Sequence, residues 1–172
     1  MPAPPATSVL EHEVRIAASP ETVFGYFTDP SRFVLWMGAE ATLDPRPGGI
    51  CRIAFAPSAD QLEAVRASVG DALKPKGRPT GVMSGRFVEV DPPHRVSFTW
   101  GWEDAPFTVP PQSTEVEVSL TPEGDETVVR LTHRRLPAPA IAFHRAGWEH
   151  FLPRLRVAAG GGDPGPDPWS LS

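Results

Sequence analysis

The chain has 172 residues, of which 40% are hydrophobic and 22% are charged. This length and composition predict one globular domain with a sizeable core and exclude a disordered chain. The net charge of −5 argues against a nucleic-acid-binding surface, and no stretch reaches the about 20 apolar residues of a membrane span. The single cysteine, Cys51, excludes an internal disulfide and is typical of a reducing cytoplasm, where we expect the protein to reside.

Alternating apolar and charged residues predict strands, and apolar residues at helical spacing predict helices. A Pro- and Ala-rich tail of residues 1–8, for which we predict disorder, precedes a strand over Val9–Ile16. Ser19 is a suitable N-cap for the helix that follows. The further elements, in chain order, are the end of that helix at Asp29-Pro30, a short helix over 31–35, strands near 40–44, 49–55, 82–90, 95–102, 113–121 and 127–134, and a long helix over about 139–159.

Residues 57–79 interrupt the run of strands. Leu62, Val65 and Val69 lie at helical spacing there, which predicts an amphipathic helix of about four turns followed by a basic loop. Loops of this length without a role are uncommon. The insertion therefore suits a lid over a binding site, a docking surface or a dimer surface, and the sequence does not choose between them.

Two residues of the final helix are unusual for a helix interior. Gly147 costs about 1 kcal/mol relative to alanine in that position, so we expect the helix backbone to approach the sheet closely there. Pro153 lacks the backbone N–H of a helical residue, which predicts a kink or an early break. The Gly- and Pro-rich residues 160–172 are predicted to form a flexible tail.

Several sequence pieces, in matching order along residues 9–158, carry a resemblance to a known family. They are Ser19-Pro20-Glu21-Thr22-Val23-Phe24, Thr28-Asp29-Pro30, Trp36, Asp44-Pro45-Arg46-Pro47-Gly48-Gly49, Gly85, Val88-Glu89-Val90-Asp91-Pro92-Pro93, Arg95-Val96-Ser97-Phe98-Thr99-Trp100, Leu131-Thr132-His133 and Gly147-Trp148. With the order of elements, they make the chain resemble the activator-of-heat-shock-ATPase-like branch of the START/SRPBCC (Bet v-like) superfamily. The insertion at 57–79 departs from the short hairpin usual in that branch.

The resemblance implies an α+β helix-grip fold over residues 9–159. In this fold a curved antiparallel sheet wraps around a long C-terminal helix, two short helices follow the first strand, and a hydrophobic cavity lies between helix and sheet. It further implies a chaperone as a possible partner, since eukaryotic relatives stimulate the ATPase of a chaperone. Other branches of the superfamily carry lipids, bind hormones or cyclise polyketides.

Bulky side chains expected between helix and sheet are the candidate ligand-binding residues. Indole rings offer a large apolar surface, and an imidazole can hydrogen-bond a ligand carbonyl or shuttle a proton near neutral pH. Ordinary core packing is the competing interpretation for all of them. The candidates are Trp36, Phe55, Met83, Phe87, Trp100, Trp102, His133, His144 and Trp148.

Patterns typical of catalysis or cofactor binding are missing from the sequence. There is no Gly-x-Ser-x-Gly motif, Cys51 lies in an apolar strand where a thiol is usually inert, and Gly48-Gly49 opens a strand rather than a phosphate-binding helix. No group of His, Cys and carboxylate residues has metal-ligand spacing, so we expect neither a metal nor a cofactor.

Three functions follow, and the first is favoured. It is a non-enzymatic domain that binds a small apolar or amphipathic molecule. The second is a regulator of a chaperone ATPase that acts through its surface, with a homodimer as a candidate assembly. The third is a cyclase- or aromatase-like enzyme in which His133 or His144 shuttles a proton.

Overall fold

The described part of the chain consists of strands around one long helix. The computed structural model describes residues 7–55, 81–103 and 109–165. Its elements are β1 Thr7–Ile16, α1 Pro20–Thr28, α2 Pro30–Phe33, β2 Glu40–Leu43, β3 Ile50–Ala54, β4 Val82–Asp91, β5 Arg95–Trp100, β6 Thr114–Glu123, β7 Glu126–Pro137 and, after a 3-10 turn at Ala138–Ala140, α3 Ile141–Ala159. The α+β helix-grip fold is confirmed.

The strands form one antiparallel sheet in the order β1-β7-β6-β5-β4-β3-β2. Side chains alternate along β6, so that Val116, Val118 and Leu120 are buried while Glu117 between them faces outward. The inward faces and the buried stripe of α3 share one core. Within the described ranges, no helix is long and apolar enough to span a membrane.

The outward face of the sheet is covered with ion pairs between neighbouring strands. Glu117 of β6 lies 2.7 Å from Arg134 of β7 and 3.8 Å from Arg95 of β5. Glu13 of β1 lies 3.2 Å from Arg130 of β7. Exposed pairs of this kind each contribute about 0–1 kcal/mol, so their main effect is to keep this face solvated.

The turn between β2 and β3 explains the glycine pair of the Asp44-Pro45-Arg46-Pro47-Gly48-Gly49 motif. Gly48 has φ +84, and its N–H donates to the Phe87 carbonyl at 2.8 Å. The Phe87 N–H in turn donates to the Gly49 carbonyl at 2.8 Å. A Cβ at Gly49 would lie only 1.9 Å from the Asp44 carbonyl oxygen. The motif therefore joins this turn to β4.

The expected close approach at Gly147 is wrong, and of the two alternatives at Pro153, a kink or an early break, the break does not occur. No described atom lies within 4 Å of the position of a Cβ on Gly147, so the helix does not approach the sheet closely there. The helix also continues through Pro153 to Ala159 instead of breaking. Pro153 and Glu149 are both exposed, and water can therefore bind the Glu149 carbonyl that the proline leaves without a helical donor.

Some boundaries differ from the predicted ones. β1 begins at Thr7, within the tail predicted as disordered, because it pairs with the far end of β7. β7 extends to Pro137 rather than ending near 134. The predicted helix at 57–79 lies outside the described residues, as do residues 1–6 and 166–172.

Substitution of Gly147 by alanine tests the open space beside α3. We expect Gly147→Ala to stabilise the protein by about 1 kcal/mol, because alanine favours the helix and its methyl group meets no described atom. Urea unfolding followed by tryptophan fluorescence measures the change. The control is Gly85→Ala, whose Cβ would lie 1.8 Å from the Thr99 carbonyl oxygen and should destabilise strongly. Destabilisation by Gly147→Ala would contradict the open space.

Candidate ligand-binding site

Most of the predicted site residues meet at the interface between α3 and the sheet. Trp100 ends β5, and its ring centroid lies 5.6 Å from that of Trp102 and 5.3 Å from that of Trp148 on α3. The rings of His133 on β7 and His144 on α3 are 5.2 Å apart. These five side chains are called the aromatic cluster below, and all are buried.

His133 is hydrogen-bonded at both ring nitrogens. The indole N–H of Trp148 donates to Nδ1 of His133 at 3.1 Å. Because an indole nitrogen can only donate, Nδ1 carries no proton and Nε2 does. The Nε2–H therefore donates to Oγ1 of Thr114 at 2.8 Å, and the Thr114 hydroxyl donates to the Trp100 carbonyl at 2.8 Å. This chain of bonds requires a neutral imidazole.

The same reasoning assigns the opposite tautomer to His144. The indole N–H of Trp102 donates to Nε2 of His144 at 3.1 Å. The proton is then on Nδ1, which donates to the Ala140 carbonyl at 2.8 Å. This ring too is neutral and has both nitrogens engaged.

Burial keeps the two imidazoles neutral. Loss of solvation lowers the pKa of His133 well below its ordinary value, and the neighbouring His144 lowers it further. Loss of solvation also lowers the pKa of His144 to about 4, against the opposing effect of the Ala140 carbonyl. With both nitrogens of each ring bonded within the protein, neither ring is placed to shuttle a proton to a substrate.

A β-bulge in β7 places Leu136 on the same buried face as His133, which follows the alternation of Val129 and Leu131. The pairing of β1 with β7 shifts register at Arg134–Arg135, and Arg135 has φ +67. Strict alternation would turn residues three apart to opposite faces. The bulge resets the alternation, so that His133 and Leu136 are both fully buried.

Beside the aromatic cluster, four aromatic rings in contact link two positions of α3 on either side of Gly147, where no described atom lies within 4 Å of a Cβ. Phe143 and Phe151 of α3 are about 12 Å apart along the helix, and Gly147 lies midway between them. The Trp102 ring is 6.1 Å from Phe143 and 5.6 Å from Phe55, and Phe55 is 5.8 Å from Phe151. Phe55 and Phe143 are only partly buried. We call this arrangement the aromatic recess.

The aromatic cluster contains one polar group with no partner. The Trp100 ring is 3% exposed, yet its Nε1–H makes no hydrogen bond. The indole N–H groups of Trp102 and Trp148 are paired as described, and that of Trp36 donates to the Tyr26 carbonyl at 2.9 Å. An unsatisfied buried donor costs about 1–3 kcal/mol. Trp100 is thus the exception among the described tryptophans.

The remaining predicted site residues lie elsewhere in the core. Trp36 packs between Phe27 at 5.4 Å and Phe33 at 5.1 Å, under the two short helices. Phe87 contacts Phe98 with ring centroids 6.0 Å apart, and it is almost fully buried. Met83 is fully buried and forms a backbone bridge to Trp102. The structure does not bring Trp36 or Phe87 to the aromatic recess.

Sequence reasoning missed Thr114, Phe143 and Phe151. Thr114 is the first of the alternating residues of β6 that face inward, and Val116 is the next. This alternation is visible in the sequence and could have predicted that the Thr114 hydroxyl faces the core. Phe143 and Phe151 lie four residues on either side of Gly147, on a stripe of the helix next to that of the predicted residues His144 and Trp148. Their role depends on Phe55 and Trp102 of the sheet, whose positions α3 alone does not reveal.

The described ranges 7–55, 81–103 and 109–165 contain neither a metal-binding group of side chains nor a reactive thiol. No group of three His, Cys, Asp or Glu side chains there could hold a metal ion. Cys51 is 1% exposed, and burial raises the pKa of its thiol. The thiolate form that reacts with electrophiles is therefore disfavoured.

Comparisons with known proteins agree with this architecture. A family model described as Activator of Hsp90 ATPase homolog 1-like protein matches residues 17–160. The solution structure of an AHSA1-like protein from Rhizobium etli is 37% identical, with a TM-score of 0.66, and the match covers 98% of this chain and 91% of that one. No curated protein matches the chain.

Two more distant structures show the fold alone. The Aha1 dimer from Colwellia psychrerythraea is 19% identical with a TM-score of 0.67, over 90% of this chain and 99% of that one. An HSP90 activator from Plasmodium falciparum is 20% identical with a TM-score of 0.62, over 88% and 96%.

The neutral imidazoles predict that acid destabilises the protein. The folded-state pKa of His144, about 4, is below the about 6.5 of an unfolded chain, so the unfolded state binds more protons between these values. The contribution of the neutral ring to the free energy of unfolding is fully present above about pH 6.5. It is lost as the pH is lowered, and at pH 4 the loss is about 3 kcal/mol for His144 alone. Urea unfolding between about pH 7.5 and 4.5 measures this loss.

The His144→Gln variant isolates the contribution of that ring. A glutamine oxygen can accept from Trp102 and its amide can donate to Ala140, but the side chain does not titrate. We expect the variant to lose less stability than the wild type over the same pH range, while His133 still titrates. Identical pH profiles for the two proteins would contradict the buried neutral imidazole.

Proposed function

The chain belongs to the Activator of Hsp90 ATPase homolog 1-like family, and from that premise we propose that it is a non-enzymatic domain that binds a small apolar or amphipathic molecule at the aromatic recess. The observation that carries the proposal is the open space beside Gly147, which lies on α3 midway between Phe143 and Phe151, two rings linked through Trp102 and Phe55. Flat rings beside an open space offer apolar contact to a ligand.

The geometry favours binding at the recess over binding between the cluster rings. Trp100 of the sheet and Trp148 of the helix are in ring contact at 5.3 Å, so these opposing walls meet. Phe55 and Phe143 at the recess retain exposed surface, and a ligand that covers them gains about 25 cal/mol per Å² of apolar area removed from water.

The enzymatic alternative has less support. A cyclase- or aromatase-like mechanism needs an imidazole whose nitrogen can reach the substrate. Both nitrogens of His133 and of His144 are already hydrogen-bonded within the protein. Both rings also have a lowered pKa, which makes them weak bases near neutral pH.

Regulation of a chaperone ATPase is the function that the family description names. The Plasmodium falciparum protein described as an HSP90 activator is 20% identical to this chain, a level at which the likeness supports the fold only. The outward face of the sheet is covered by ion pairs and offers no broad apolar docking patch among the described residues. Ligand binding is therefore the better-supported proposal.

Filling the recess tests the proposed function. The neutral fluorophore N-phenyl-1-naphthylamine should bind the wild type with increased emission, because the aromatic rings shield it from water. In Gly147→Leu the leucine side chain occupies the space beside the helix, and we expect the affinity to fall by at least about tenfold, equivalent to about 1.4 kcal/mol. Fluorescence titration measures both dissociation constants.

The matched control is Ala146→Leu, which adds the same side chain on the exposed side of the same helix turn. This variant should bind the fluorophore as the wild type does. Equal affinity in all three proteins would place the binding elsewhere, and no binding by the wild type would argue against the proposed function as a whole.

A further inference from the structure

We propose that the Nε1–H of Trp100 is the group that orients the bound molecule, and that it selects an uncharged ligand carrying a hydrogen-bond acceptor oxygen, such as a ketone, ester or ether. This proposal rests on the proposed function and adds the chemical class of the ligand. The evidence is one unpaired donor in the aromatic cluster, whose other indole and imidazole nitrogens are all hydrogen-bonded.

The lack of a partner for Trp100 is specific to this group. Among the buried side-chain atoms described without a partner, Nε1 of Trp100 is the one within the aromatic cluster. The others are Nε2 of His12 and Oγ of Ser113. Buried polar groups are hydrogen-bonded in the great majority of cases, so an orphan in a core of this kind calls for an explanation.

The imidazole nitrogens packed near Trp100 do not accept this hydrogen bond. Nδ1 of His133 and Nε2 of His144, the two acceptor nitrogens of the cluster, already receive the N–H groups of other indoles. The rings packed against Trp100 are those of Phe98, Trp102, His133, His144 and Trp148. The acceptor must therefore come from outside this set.

Trp100 is adjacent to the recess. Its ring meets that of Trp102 edge to face at 5.6 Å, and Trp102 is one of the rings of the aromatic recess. Trp148, which follows Gly147 in the chain, contacts the Trp100 ring from the helix side at 5.3 Å. Trp102 and Trp148 thus connect the recess to the ring that carries the unpaired donor.

The surroundings of the donor limit the chemistry of the ligand. Its ring neighbours are apolar or are imidazoles held neutral by burial, so a carboxylate there would be a buried charge without a counter-ion. An amine brings donors where no acceptor is free. A buried water makes about three hydrogen bonds, and the polar side chains nearby are already engaged. A single neutral acceptor oxygen satisfies the site fully.

Matched naphthalenes test this selectivity. Displacement of N-phenyl-1-naphthylamine is measured with 2-acetylnaphthalene, with 2-isopropenylnaphthalene, in which a CH2 group replaces the ketone oxygen, and with 2-naphthoate. The ketone should bind the wild type about tenfold more tightly than the alkene, because it alone satisfies the buried donor. The carboxylate should bind more weakly than both. In Trp100→Phe the preference for the ketone should disappear while the alkene still binds.

Nitrogen-15 NMR of the wild type gives a second readout that needs no core substitution. The ketone should shift the indole N–H resonance of Trp100 downfield, and the alkene should not. The resonances of Trp102 and Trp148, which are already hydrogen-bonded, serve as internal controls.

The outcomes separate this proposal from the proposed function. Equal binding of ketone and alkene without a Trp100 shift would overturn the ligand class and leave recess binding in place. Retention of the ketone preference in Trp100→Phe would overturn the role of Trp100. Failure of the fluorophore and of all three naphthalenes to bind the wild type would overturn both.

Discussion

The two hydrogen bonds between indole and imidazole are the interaction on which the helix–sheet interface depends. One joins Trp148 of α3 to His133 of β7, and the other joins Trp102 of the sheet side to His144 of α3. Each crosses the interface in a different direction, so together they set the position of the helix relative to the sheet. Both need an unprotonated nitrogen as acceptor, and the burial that the interface itself creates keeps the imidazoles neutral. Packing and protonation state thus support each other.

This interface also decides where a ligand has room. The rings that the fold brings together between helix and sheet contact one another, and they satisfy each other's polar atoms with the exception of Trp100. The space beside Gly147 differs, because no described atom lies within 4 Å of a Cβ there, and Phe55 and Phe143 keep part of their surface exposed. This contrast between the hydrogen-bonded aromatic cluster and the open space beside Gly147 is the basis of both proposals. One is binding at the aromatic recess, and the other is the donor role of Trp100.

Local chemistry made much of the fold predictable. Ser19 accepts the N–H of Thr22 as the expected N-cap, and the alternation in β6 continues without interruption from Thr114 to Leu120. Expectations were wrong where the tertiary environment replaced a local preference. Gly147 suggested close contact with the sheet, yet it faces open space among the described residues. Pro153 suggested a kink or a break, and the break does not occur, since its exposed position lets water compensate for the missing hydrogen bond.

The sequence by itself determined the order of the elements, the family and the set of bulky side chains that face inward, because these depend on periodicity, caps and turns that neighbouring residues specify. Only the tertiary structure decided which of those side chains meet. Trp36 packs against Phe27 and Phe33 in another part of the core. Phe143 contacts Trp102, and Phe151 contacts Phe55. The physical reason is that a ring contact or a shared proton depends on distances between residues far apart in the chain. Strand order, the bulge at Arg135 and the helix position set those distances, and no local pattern encodes them.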